Sequence, residues 1–123
     1  MSERVQKVNL KEKAEKISTY WDPKIIGRVN QMMAKIARIK GTFTWHHHEK
    51  EDELFYVIDG EMIIELKDQQ IHLKPGEMVI IPQGVEHRPV AETDCLILMF
   101  ELETTLNTGN VVNEYTQSDL EEI

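Results

Sequence analysis

From Gly41 onward the chain is cut by turn residues into apolar runs of strand length, and this punctuation most restricts how it can fold. Leu54 to Ile58 runs into Asp59-Gly60, a pair that reads as a type I′ hairpin. Met62 to Leu66 is followed by the polar turn Lys67-Asp68-Gln69-Gln70, after which Ile71 and Leu73 alternate with His72 and Lys74. Pro75-Gly76 and Pro82-Gln83-Gly84 bracket Met78 to Ile81, and Cys95 to Phe100 is the last clear apolar run. Many short antiparallel strands with closely spaced turns predict an all-β sandwich or barrel.

Upstream the texture differs. Leu10, Ala14 and Ile17 fall at helical spacing with charges between them, which predicts one short amphipathic helix over 10–17. Trp21-Asp22-Pro23 ends it, because a residue before proline disfavours the helical region. In 31–40, Met32, Met33, Ile36 and Ile39 suit either a helix or a strand buried on both faces, and residue pattern leaves both open.

With 123 residues the chain is long enough for one domain with its own core. The net charge of −8 argues against a nucleic-acid partner, and there is no basic patch. Six acidic residues and no Lys or Arg lie from Glu101 to the end, so this tail is expected to be a solvated surface. No apolar run approaches the roughly 18 residues of a membrane span. The charged start lacks a signal core, so a cytoplasmic, reducing location is expected. The single cysteine, Cys95, excludes an internal disulfide and reads as a small buried hydrophobe.

Residues 46–48 are three consecutive histidines. On a strand, alternate side chains share a face, so His46 and His48 point one way and His47 the other, with Phe43 and Trp45. Two imidazoles two residues apart can grip one ion. Glu53 lies beyond the polar stretch Glu49-Lys50-Glu51-Asp52, which can loop it back beside the pair. Its carboxylate, added to imidazole nitrogens, suits one divalent transition metal: Mn, Fe, Ni, Zn or Cu. His87, after the Pro82-Gln83-Gly84 turn, can close the site from another strand.

These residues resemble the cupins. Their first motif, a glycine, a His-x-His pair, a glutamate and a second glycine, is matched by Gly41, His46, His48, Glu53 and Gly60, with the first gap one residue shorter than usual. Their second motif is matched by Gly76, Pro82, Gly84 and His87, with Ala91 where the family has asparagine. The likeness is to small single-barrel cupins labelled mannose-6-phosphate-isomerase-like. It implies a double-stranded β-helix, or jelly-roll barrel, with a short N-terminal helix. A strand over 31–40, a homodimer, and one metal ion held by three His and one Glu are implied with it. The expected organisation is an N-terminal helix and arm over 1–30, a barrel over 31–102 and an acidic tail over 103–123.

Phe43 and Trp45 suit either the core or a subunit interface, with the interface preferred, while Phe55 and Val57, sharing parity with Glu53, are expected to line the cavity. Arg88 is expected in an outward salt bridge and His72 in solvent. The functional expectation is a metal-dependent enzyme of oxygenase or isomerase type acting on a small organic molecule. The alternative is a non-catalytic module that binds a metal or a small ligand.

Overall fold

The computed structural model describes residues 5–123. A one-turn helix, α1 (Leu10–Ala14), precedes seven strands: β1 (Lys24–Val29), β2 (Met32–Thr42), β3 (Glu53–Asp59), β4 (Met62–Leu66), β5 (Gln70–Leu73), β6 (Met78–Ile81) and β7 (His87–Leu102). The helix starts where Asn9 caps it, its side chain accepting from the Glu12 amide. It stops short of the expected Ile17 because Lys16 and Ile17 donate to carbonyls three residues back, tightening the last turn. Ala14 and Ile17 are still buried, and the Arg38 guanidinium donates to both their carbonyls, holding this end over β2.

β2 and β7 form the frame. They pair antiparallel along most of their length, with a register break between Ile39 and Gly41. On one side lies the order β1-β2-β7-β3-β6; on the other, the early part of β7 pairs with β4, and β4 with β5. β7 is thus long enough to serve both layers: Pro89 and Val90 face β4, and Leu96 to Glu101 face β3. The ambiguous segment 31–40 is strand from Met32 on, buried on both faces at Lys35, Ile36 and Ala37.

Asp59-Gly60 is not a hairpin. β3 pairs with β6 and β7, and β4 with β5 and β7, so the dipeptide carries the chain from one layer to the other. Of the two residues only Gly60 has positive φ, whereas a type I′ turn needs both. Glycine is required there, since a Cβ would lie 2.7 Å from the Asp94 carbonyl oxygen. The two-residue hairpin is instead Asn30-Gln31, between β1 and β2, with Asn30 at φ 53.

The core is the barrel interior: Ala37, Ile39, Phe55, Val57, Met62, Ile64, Leu73, Ile81, Ala91, Cys95, Ile97 and Met99. Ala91, at the motif's asparagine position, is one of these packing residues. Cys95 is fully buried, and burial with nearby acidic charge pushes its thiol up to about 12, as suits an inert side chain. Among the described residues no helix is long and apolar enough to cross a membrane.

The acidic tail is a solvated surface as expected except at its first residue: Glu103, Glu114, Asp119, Glu121 and Glu122 are exposed. Glu101 lies in β7 and is buried. Beyond it the chain wraps back over the barrel. The Ile25 amide donates to the Glu121 carbonyl and the Ile123 amide to the Ile25 carbonyl, Glu121 pairs with Lys24, and Glu103 and Glu122 pair with Arg28. The cations that pair with these exposed carboxylates, Lys24 and Arg28, sit far upstream in β1.

Candidate metal centre

The strand-to-loop transition after β2 builds the site. Phe43 donates its amide to the Pro89 carbonyl, and His46 and His87 then form an antiparallel bridge, each amide donating to the other's carbonyl at 3.0 and 2.9 Å. That bridge sets two imidazoles side by side, with ring centroids 4.4 Å apart. The Gly84 amide donates to the His48 carbonyl at 2.7 Å, and the Gln83 amide to the Asp52 carboxylate. The Pro82-Gln83-Gly84 turn is therefore fastened to the histidine loop. Glu53, first residue of β3, points inward beside Phe55 and Val57.

One ligand atom from each of His46, His48, Glu53 and His87 lies within 4.8 Å of all the others, and all four residues are buried. The structure thus brings together the four residues that the sequence singled out. His47 turns outward as parity requires, its Nδ1 3.0 Å from Glu86. Arg88 pairs with Glu65 on the outside, and Trp45 lies under Arg88 and Lys67. His72 is exposed and Phe55 lines the cavity, whereas Val57, expected there too, packs into the apolar core instead.

Phe43 departs from expectation. It is buried, stacked on Trp21 at 4.7 Å and edge-on to His46 at 5.5 Å. The chain leaves regular strand geometry after Thr42, so alternation does not carry back from His46 to Phe43.

The ring nitrogens suit a metal. Nδ1 of His46 lies 2.8 Å from the Thr44 carbonyl and Nδ1 of His87 2.9 Å from that of Val85. A carbonyl only accepts, so each Nδ1 carries the hydrogen and each Nε2 offers a lone pair inward, the arrangement by which backbone carbonyls orient metal-binding histidines. Burial, then the neighbouring His87, pushes His46 down to about 4, which keeps it neutral and able to ligate. Nε2 of His48 and of His87 lie 3.2 and 3.3 Å from the same Glu53 oxygen, Oε1. The His48 contact lacks hydrogen-bond alignment and leaves its buried Nε2 without a partner. Lone pairs facing an anion repel one another; a cation among them turns that repulsion into attraction.

Two further charged residues, missed by the sequence reading, complete the interior. Glu101 sits directly across from Glu53 on β7, and its Oε1 accepts from the Lys35 ammonium at 2.9 Å. Burial first, then the Glu53 charge, holds the Glu101 carboxyl well above its ordinary range. Burial also works to raise Glu53, but its close contacts with Glu101, His48 and His87 outweigh burial and hold that carboxyl well below its ordinary range. The alternation Ile97-Met99-Glu101 and the lone cation in Met33-Ala34-Lys35-Ile36-Ala37 carried this signal. A cavity beside the cluster is walled by Trp21, Phe43, Phe55 and Met99, with His46, Glu53 and Glu101 on its polar side. Water centres can occupy about 30 Å³ of it, enough for about two waters.

The model of the cupin domain family matches residues 36–101, and the chain belongs to that family. It is 41% identical over 64 residues to YdbB of Bacillus subtilis, covering 51% of this chain and 57% of that protein. It is 29% identical over 102 residues to 3-hydroxyanthranilate 3,4-dioxygenase of Xenopus laevis, covering 76% of this chain and 36% of that enzyme. The chain thus spans less than two thirds of either of these relatives. A cupin-2 domain-containing protein from Shewanella frigidimarina has a crystal structure that superposes with TM-score 0.79 at 37% identity, covering 84% of this chain and 99% of that one.

Proposed function

We propose that this cupin holds one divalent transition-metal ion through His46, His48, Glu53 and His87 and acts as an oxygenase-type enzyme on a small organic molecule. The observation that carries the reading is the set of inward Nε2 lone pairs, two of them enforced by backbone carbonyls, around one buried carboxylate. An ion bound there supplies Lewis acidity toward an oxygen ligand and, where redox-active, electrons for dioxygen chemistry. The chain's own residues supply the setting. Phe43, Phe55 and Met99 give the cavity an apolar wall beside the cluster, and the Nδ1 bonds orient the His46 and His87 rings. The likeness to 3-hydroxyanthranilate 3,4-dioxygenase supports an oxygenase over an isomerase.

Metal analysis tests the first half of the reading. Purified protein should carry near one ion per chain and His48→Ala should lose most of it; metal-free protein under replete conditions defeats the proposal. The second half is tested by dioxygen uptake with small phenols and enediols. A second reading, a metal- or ligand-binding module without turnover, is favoured by the small cavity. Metal binding with no uptake on any such compound would select it.

The same reading includes a homodimer in the cytoplasm. Met78 and Ile80 are exposed on the outer face of β6, beside Tyr56 and Leu54 of β3. Leu98 and Phe100 of β7 continue that apolar face, which is suited to a second copy. Sedimentation should find a dimer that Ile80→Lys dissociates; a monomeric wild type would rule it out.

A further inference from the structure

Residues 103–120 form neither helix nor strand, yet they are tied to the histidine loop at several points. Asn110 and His47 are paired reciprocally. The Asn110 amide donates to the His47 carbonyl at 3.1 Å, and its side-chain oxygen accepts from the His47 amide at 2.9 Å. Asn113 donates from Nδ2 to the Thr44 hydroxyl at 2.7 Å, and the Thr104 hydroxyl donates to Glu51 at 2.8 Å. Between these ties lies Gly109, at φ 58, so close to the loop that a Cβ would overlap the His47 carbonyl oxygen. Thr108 and Thr116 share a hydrogen bond, and Asn107 donates to the Tyr115 carbonyl, so the segment is one compact loop held by its own side chains.

That loop divides two hollows. Outside it lies a recess of about 460 Å³ that reaches His48 and is lined by Lys50, Glu51, Thr104, Leu106 and Asn110. Inside it lies the cavity of about 30 Å³ that reaches His46 and Glu53. Leu106 fronts the recess and the next residue, Asn107, fronts the cavity, so the segment itself is the partition. Room for about two waters holds no organic substrate, whereas small-molecule sites run to about 300–1,000 Å³. The ties of Asn110, Asn113 and Thr104 are exposed to water, and Tyr115, packed on Phe43 at 5.2 Å, is the aromatic anchor. A loop held in this way opens below the free energy of global unfolding.

Building on the metal reading, we propose that residues 104–117 are a lid, which lifts from the histidine loop and joins recess and cavity into one substrate site beside the ion. The joined site has an apolar inner end at Phe43, Phe55 and Met99 and a polar mouth at Lys50 and Glu51. The lid gives access without parting the ligands, because the His46–His87 bridge stays closed while it moves.

The test treats the metal-free full chain with diethyl pyrocarbonate, which acylates neutral imidazole nitrogen. The rate at His46 is read by peptide mass spectrometry, with exposed His72 as internal reference. Gly109→Ala should prop the lid and speed modification of His46. A disulfide between Thr44→Cys and Asn113→Cys should tie it down and slow modification. Each change should be roughly tenfold or more, because reaction follows the population of the open form. Reducing the disulfide should restore the faster rate; Cys95 is buried and does not compete. In the wild type, the Asn110 amide should exchange with solvent faster than the His46 and His87 amides. Where Gly109→Ala does not fold, Asn110→Ala, which removes the tie to the His47 amide, takes its place. An unchanged rate in the locked chain or in a folded opening variant overturns the lid, as does Asn110 protection equal to that of the bridge. Gated modification of His46 in a chain that takes up no metal overturns the metal reading and leaves the lid standing. Metal uptake with ungated modification does the reverse.

Discussion

The two ends of the barrel interior are equally buried and chemically opposite. At one end Val57, Met62, Ile64, Leu73 and Cys95 pack without a polar side chain among them. At the other, three imidazoles, two carboxyls and an ammonium are buried as deeply. The first end gains from excluding water, while the second bears the desolvation of every charged group it holds. The difference teaches that the site is imposed on its residues. The His46–His87 bridge, the Gly84 amide on the His48 loop and the β3–β7 register hold these groups together, and the aliphatic end supplies the burial that makes this tolerable.

Three measurements would break or sharpen that contrast. The largest effect is expected from Ile64→Ala at the aliphatic end, which should lower unfolding free energy by about 2–5 kcal/mol. Metal bound per folded chain should stay unchanged, read by urea unfolding and metal analysis on one preparation. A proportional loss of metal would mean the two ends are not separable.

A smaller effect is expected from pH. His46 titrates at about 4 in the folded chain against an ordinary 6.5. Its contribution is complete above 6.5 and is lost as pH falls toward 4, because the unfolded chain then binds the extra proton. Glu101, raised well above 4.5, works in the opposite sense: its contribution is present below 4.5 and fades as pH rises. Metal-free wild type should therefore show a shallow slope of stability between pH 4.5 and 6.5. Glu101→Gln, freed of the opposing term, should gain stability more steeply with pH over that window. Equal slopes in the two proteins would show that the polar end does not hold these groups as described. The smallest effect is expected from His47→Ala, which removes outward contacts with Glu86 and Glu49 and should leave metal affinity unchanged.

The four candidate ligands were legible because motif spacing and strand alternation agreed on them, and the structure clusters the same four. Three other features were hidden for separate physical reasons. Phe43 lies past the point where regular pairing stops, so parity misassigned its face. Glu101 was counted with the tail's charge, although its strand continues the inward series Ile97-Met99-Glu101. Asp59-Gly60 has the composition of a hairpin, but pairing is decided by β7, which claims both flanking strands. Residue type reports local conformation well; which strand lies alongside is a property of the whole chain.

The reciprocal amide bonds between His46 and His87 have a kinetic meaning. They close a segment that contains β3 to β6, four of the seven strands. Neither imidazole reaches its place until that long segment has been folded back on itself, a non-local closure of the slow kind. Opening of the site and opening of the barrel wall are then one motion, and exchange of the His46 and His87 backbone hydrogens with solvent measures its frequency.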